Sequence, residues 1–174
     1  ISFDVSDIAG NKAVTVSRIV TVSDPTRGCG GCVVISNVKQ TQIFNISNAI
    51  DFLKLNQQTD GSYGSTLYSD WVAMAFSANS DTSKNATLLK TYLISLSDVG
   101  TFVTDVERHA MALLALGINP YSGTSTDFIK KITDNYDGTQ IGDSSLFNDD
   151  IFAIFPLMHA GYTVDDEIIK NITA

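Results

Sequence analysis

"DWVAMAFSA", residues 70–78, opens on a carboxylate and continues apolar almost without interruption. Two later stretches share that character: "ERHAMALLA" (107–115) and "DIFAIFPLM" (150–158). Set beneath one another, they align Asp70, Glu107 and Asp150, and then Ala73, Ala110 and Ala153. The offsets, 37 and 43 residues (70 to 107, 107 to 150), suit a repeat built from helix pairs. A helix that is apolar nearly all round is one buried among other helices. More amphipathic segments lie between these three, so an inner row of buried helices should be packed by an outer row.

Seven helices follow from periodicity and turn signals. The first covers "ISNAIDFLKLNQQ", with Ser47 or Asn48 as the N-cap, and ends in "QTDGSYG". The second starts at Ser69 or Asp70, and "KNATLLKTYLISL" is the third. The fourth is capped by Thr104 or Asp105 and stopped by Gly117 and Pro120. "STDFIKKITDNYDG" is the fifth. The sixth follows Asn148 and stops at Gly161, with Pro156 inside it as a point of kinking or adjustment. "VDDEIIKNIT" is the seventh. The fold class is mainly α, with the helical repeats over 46–174.

Residues 1–22 read differently. Ile1, Phe3 and Val5 alternate with polar residues, "IAGNK" supplies a turn, and Val14, Val16 and Val22 alternate again. This pattern predicts a β-hairpin, which needs something to pack against. Residues 23–45 would be a linker. It contains Cys29 and Cys32 in "TRGCGGCVV". That spacing admits a redox pair, half a zinc site or a local disulfide. The disulfide is favoured for an exported protein, and a free dithiol stays open. The only histidines, His109 and His159, lie in apolar helical runs, so no metal site is expected.

The 174 residues suffice for one domain with an appendage. A chain 44% hydrophobic and 17% charged can bury a core. Its net charge of −8, with 11 basic residues against 19 acidic, argues against nucleic acid and anionic membranes. No apolar run reaches the roughly 18 residues of a transmembrane helix. Ile1, with no basic leader before it, points to a mature, trimmed or partial chain.

Two resemblances sharpen this reading. "FDVSDIAGNKAVTVSRIVTV" looks like the last strands of bacterial immunoglobulin-like surface modules. That implies a secreted or cell-surface parent. "LKLNQQTDGSYGSTLYSDWVAMAF" resembles the repeats of the terpenoid cyclase and protein prenyltransferase superfamily. Gln57, Asp60, Gly61, Ser62 and Tyr63 stand where that family has a Q-x-x-D/N-G-x-W/F-like turn, and "YDGTQIG" (136–142) is a weaker copy. The resemblance implies helix hairpins in a partial α/α toroid. It does not imply one function, because such toroids serve as cyclases, cobalamin carriers and surface modules.

Against the cyclase acid motif D-x-D-D, this chain has Phe147-Asn148-Asp149-Asp150, without the first Asp. Asp149 and Asp150 are nonetheless the candidate acid catalysts. The competing reading places them in the first turn of a helix, where negative charge is favourable. Candidate ligand-binding residues are Asp70, Trp71, Asp105, Glu107, Arg108, His109, Tyr63 and Phe147, gathered near inner-helix starts. Arg108 is expected to pair with Asp105 or Asp149. A non-catalytic module binding a ligand or protein partner on a concave face is favoured, and the enzymatic question stays open. A terpenoid-cyclase-like enzyme and a carrier of the cobalamin-binding type are the alternatives. No cofactor is called for. Self-association or attachment to a larger parent chain is expected among the partners.

Overall fold

The computed structural model describes residues 45–174, together with the short strands β1 (Ser2–Phe3) and β2 (Val16–Ser17). Those strands pair antiparallel, Ser2 opposite Ser17 and Phe3 opposite Val16. The rest of the expected hairpin, the linker and the Cys29/Cys32 pair lie outside the described residues. Two compact units divide the chain, Ile1–Phe44 and Asn45–Ala174. The second is helical throughout, apart from one isolated bridge between Tyr136 and Ile141.

Seven helices form it: α1 (Ile46–Leu55), α2 (Thr66–Ala78), α3 (Lys84–Ser95), α4 (Val103–Ala115), α5 (Phe128–Thr133), α6 (Phe147–His159) and α7 (Glu167–Ile172). In the inner row, α4 packs between α2 and α6. In the outer row, α1 packs on α2, α3 on α2 and α4, α5 on α4 and α6, and α7 on α6. Fully buried Phe76, Leu89, Leu93, Leu113, Phe128, Ile132 and Leu157 join the rows into one core.

The three inner helices are each 13 residues long. They also end alike. Ser80, Gly117 and Gly161 take the left-handed backbone, at φ 52°, 70° and 105°. Their N–H groups donate to Ser77, Leu114 and Met158, at 2.9, 2.9 and 3.2 Å. The next N–H groups, of Asp81, Ile118 and Tyr162, reach back to the carbonyls of Phe76, Leu113 and Leu157. This is the Schellman arrangement three times over, and it consumes carbonyls that a helix end would leave orphaned. It also sets the register. Equivalent residues lie 37 and 44 apart (80 to 117, 117 to 161), so α6 is one residue out of step with the alanine alignment. The fifth position of each inner helix holds Asp70, Glu107 and Ile151, not Asp150.

The helix starts also differ from expectation. α1 is capped by Asn45, whose Oδ1 accepts from the Asn48 N–H at 3.2 Å. α2 begins a turn earlier than expected, because the Ser65 hydroxyl accepts from the Tyr68 N–H. α4 and α6 begin after Phe102 and Leu146, which have no capping side chain, so neither Thr104 nor Asn148 is a cap. Asp105 substitutes from within the first turn of α4, accepting from the Phe102 N–H at 3.2 Å. α6 runs through Pro156, which is buried.

The "QQTDGSYG" turn is pinned by its own side chains. Gln57 donates to the carbonyls of Gly61 and Asn85, both at 2.9 Å, and accepts from Asn85 Nδ2 at 2.7 Å. Asp60 accepts from the Ser62 N–H, and Asp137 repeats this with the Thr139 N–H in the weaker copy. Gly61 sits at φ 91°, and a Cβ there would come within 2.5 Å of the Leu88 carbonyl oxygen on α3. Both the conformation and the space require glycine. Gly61→Ala is expected to cost about 1–3 kcal/mol, the range for a strained backbone site. Urea unfolding measures it, and a loss below roughly 0.5 kcal/mol, the range of ordinary surface changes, would show that the turn relaxes freely.

Candidate functional site

The sequence brings its charged candidates to the seams of the inner row. At the α2–α4 seam, fully buried Asp70 binds two residues of α4. Its Oδ1 meets His109 Nδ1 at 2.8 Å, and its Oδ2 accepts from Arg108 Nε at 3.1 Å. Arg108 turns Nη1 to Asp105 Oδ1 at 2.9 Å. A carboxylate can only accept, so Nδ1 carries the His109 proton. The opposite ring nitrogen, Nε2, is buried without a partner, and the ring lies edge-on to Phe128 at 4.7 Å. Arg108 therefore pairs with Asp105, as expected, and with Asp70, but not with Asp149. Four expected ligand-binding residues thus form a clasp within the core.

At the α4–α6 seam the chemistry is reversed. Glu107 is fully buried, and neither of its carboxyl oxygens has a hydrogen-bond partner. Burial, reinforced by the charges of Asp149 and Asp150, pushes its pKa up to about 9. Glu107 is therefore a neutral acid at pH 7.

Asp149 and Asp150 fasten the loop before α6. Asp149 Oδ2 accepts from the Asp143 N–H at 3.0 Å, and Asp150 Oδ1 from the Ile141 N–H at 2.9 Å. An open cleft of about 410 Å³ lies beside them, lined by Phe102, Val103, Thr104, Gly142, Leu146 and Asp149 among others. Asp149 reaches its wall, whereas Asp150 and Glu107 do not. The two candidate acids are thus divided: both anchor backbone, and one faces the cleft.

The aromatic candidates separate as well. Tyr63 is half-buried, edge-on to Phe76 at 6.3 Å, with its hydroxyl buried and unpartnered. Burial, and then Asp81, raise that phenol to about 12. Trp71 is 50% exposed and Phe147 83%. His159 is exposed at the far end of α6 and meets none of these groups.

What the sequence reading missed is an apolar surface. Along α6, Phe147, Ile151, Phe155 and Met158 all face solvent. Their spacing of four, four and three residues puts them on one side of a helix. Leu67, Tyr68 and Trp71 do the same on α2. The sequence does carry the signal, since a helix apolar all round fits an uncovered side as well as burial.

Among the described residues, no group of three or more His, Cys, Asp or Glu is arranged to hold a metal ion. Among the same residues, no helix is long and apolar enough to cross a membrane. Comparison with protein-family models, curated proteins and solved structures returns no match.

Proposed function

We propose that this chain is a non-catalytic helical repeat module that binds a partner or ligand through the uncovered apolar side of its inner helices. The row Phe147, Ile151, Phe155 and Met158 supports this most directly, because a contiguous apolar strip in water marks an interaction site. The clasped and loop-anchoring acids support it too: the hydrogen bonds of Asp70, Asp105, Asp149 and Asp150 each have a structural use. The architecture we propose is a partial α/α toroid with this strip at the open end of its inner row. It follows the end of an immunoglobulin-like module over residues 1–22, in a secreted or cell-surface protein.

The apolar dye anilinonaphthalene sulfonate tests the reading in dilute, folded protein. The expected result is dye fluorescence that falls in an Ile151→Ser, Phe155→Ser double variant of unchanged unfolding midpoint. A folded protein that does not brighten the dye would sink it.

A second reading has one observation in its favour. Glu107 holds its proton at pH 7, which is what an acid catalyst of the terpenoid-cyclase kind needs. The nearby cleft is open rather than enclosed, and its wall carries Asp149 and not Glu107. A carbocation needs a dry enclosure, so the binding reading is preferred.

A further inference from the structure

The register of the inner row gives each helix a forward side and a rear side. Position five faces forward: Asp70 of α2 reaches Arg108 and His109 of α4, and Glu107 of α4 lies toward Asp149 and Asp150 of α6. Ile151 holds that position in α6, and it is 54% exposed. Position six faces the rear: Arg108 of α4 reaches back to Asp70. Its counterpart in α2 is Trp71, 50% exposed. Position three follows the same rule, since Asp105 joins the rear-facing clasp of α4 while Tyr68 of α2 is 62% exposed.

The row therefore ends in two open flanks. The forward flank of α6 presents Phe147, Ile151 and Met158, with Phe155 beside them; the rear flank of α2 presents Tyr68 and Trp71. Neither set contains a charge, so the net charge of −8 is not concentrated where the flanks would meet. A repeat array normally ends in polar capping repeats, and an apolar end is one that expects another helix.

We infer that the occupant is a second copy of this chain, joined head to tail with its α2 rear flank on the α6 forward flank of the first. The inference rests on the binding reading above and names its partner. One chain carries both halves of the contact, in the register that already joins α2 to α4 and α4 to α6. An unrelated protein would have to supply that register independently. A head-to-tail contact closes into a ring or runs on as a filament. Two copies bring six inner helices, and closure at that number would use both flanks of each.

Sedimentation velocity across a concentration series tests this with the full chain. The expected species is a dimer at micromolar concentrations. Trp71→Glu and Ile151→Glu, on opposite flanks, are each expected to give monomers. Mixed in equal amounts, the two variants should pair again, because each retains the flank that the other has lost. Recovery on mixing also shows that both variants are folded. Wild-type protein that stays monomeric would overturn the inference, and dye binding would still stand if only this step fails. A dimer that survives Trp71→Glu would overturn it as well, since it would join two α6 flanks or cover α2 with the protein's own chain.

Discussion

Asp70→Ala is expected to lower the unfolding free energy by about 3–5 kcal/mol, the usual cost of removing one partner from a buried ion pair. The substitution leaves His109 fully buried with neither ring nitrogen bonded, and Arg108 with Asp105 alone. It also removes the ionic tie between α2 and α4. Asp70→Asn should cost less, because its side-chain oxygen can still accept one of the two bonds. Urea midpoints measure both. A loss under about 1 kcal/mol for Asp70→Ala, the worth of an exposed pair, would mean that water reaches the clasp.

Glu107 sets the second large effect, and its sign is opposite to that of an ordinary carboxylate. The folded chain keeps this proton up to about 9, whereas an unperturbed glutamate releases it at 4.5. Between those values the folded state binds more protons than the unfolded one. Its contribution is therefore fully present below 4.5, declines as pH rises through the window, and levels off above about 9. The slope is at most about 1.4 kcal/mol per pH unit. Glu107→Leu should flatten this dependence and stabilise the protein at pH 8 by about 1–4 kcal/mol, because it removes both the proton uptake on folding and two buried carboxyl oxygens that have no partner. Unfolding at pH 5 and pH 8 in both proteins measures it. A wild-type curve that is flat over that range, or a variant less stable at pH 8, would place Glu107 in contact with water or an unseen partner.

These two acids show what the sequence could and could not say. Asp70 and Glu107 occupy the same position of the same repeat, and aligned sequence treats them alike. Their chemistry is opposite because of what the next helix offers: α4 brings Arg108 and His109 to Asp70, while α6 brings two more carboxylates to Glu107. A pairing across 38 residues leaves no trace in local spacing. The pairing of Arg108 with Asp105 was legible because three residues on a helix bring side chains together.

The seven helices and their order were legible for a similar reason: turn chemistry and helical periodicity are local. The starts of α2, α4 and α6 were not, since Ser69, Thr104 and Asn148 are cap-type residues that lie inside the first turn. Phe102 and Leu146, at the actual caps, offer no capping group to read. The alanine alignment slipped α6 by one residue because small residues suit any tightly packed position. Helix ends would have fixed it. Gly117 and Gly161 were visible, and Ser80, though not glycine, takes the same left-handed conformation.

The slip has a functional consequence. Placing Asp150 at position five makes three acids converge and suggests a catalytic site. Placing Ile151 there makes the last inner helix end in an apolar side, which suggests a contact. The register set by the three repeated helix ends thus agrees with the exposed side of α6.

Trp71 is the chain's only tryptophan, and it lies on the rear flank of α2. Acrylamide quenching of its fluorescence over a protein concentration series is therefore the most direct measurement. The expected result is strong quenching in dilute protein and progressive shielding as copies associate. Shielding already complete in a monomer would contradict the account, because it would show that the flank is covered by its own chain and is not free to bind.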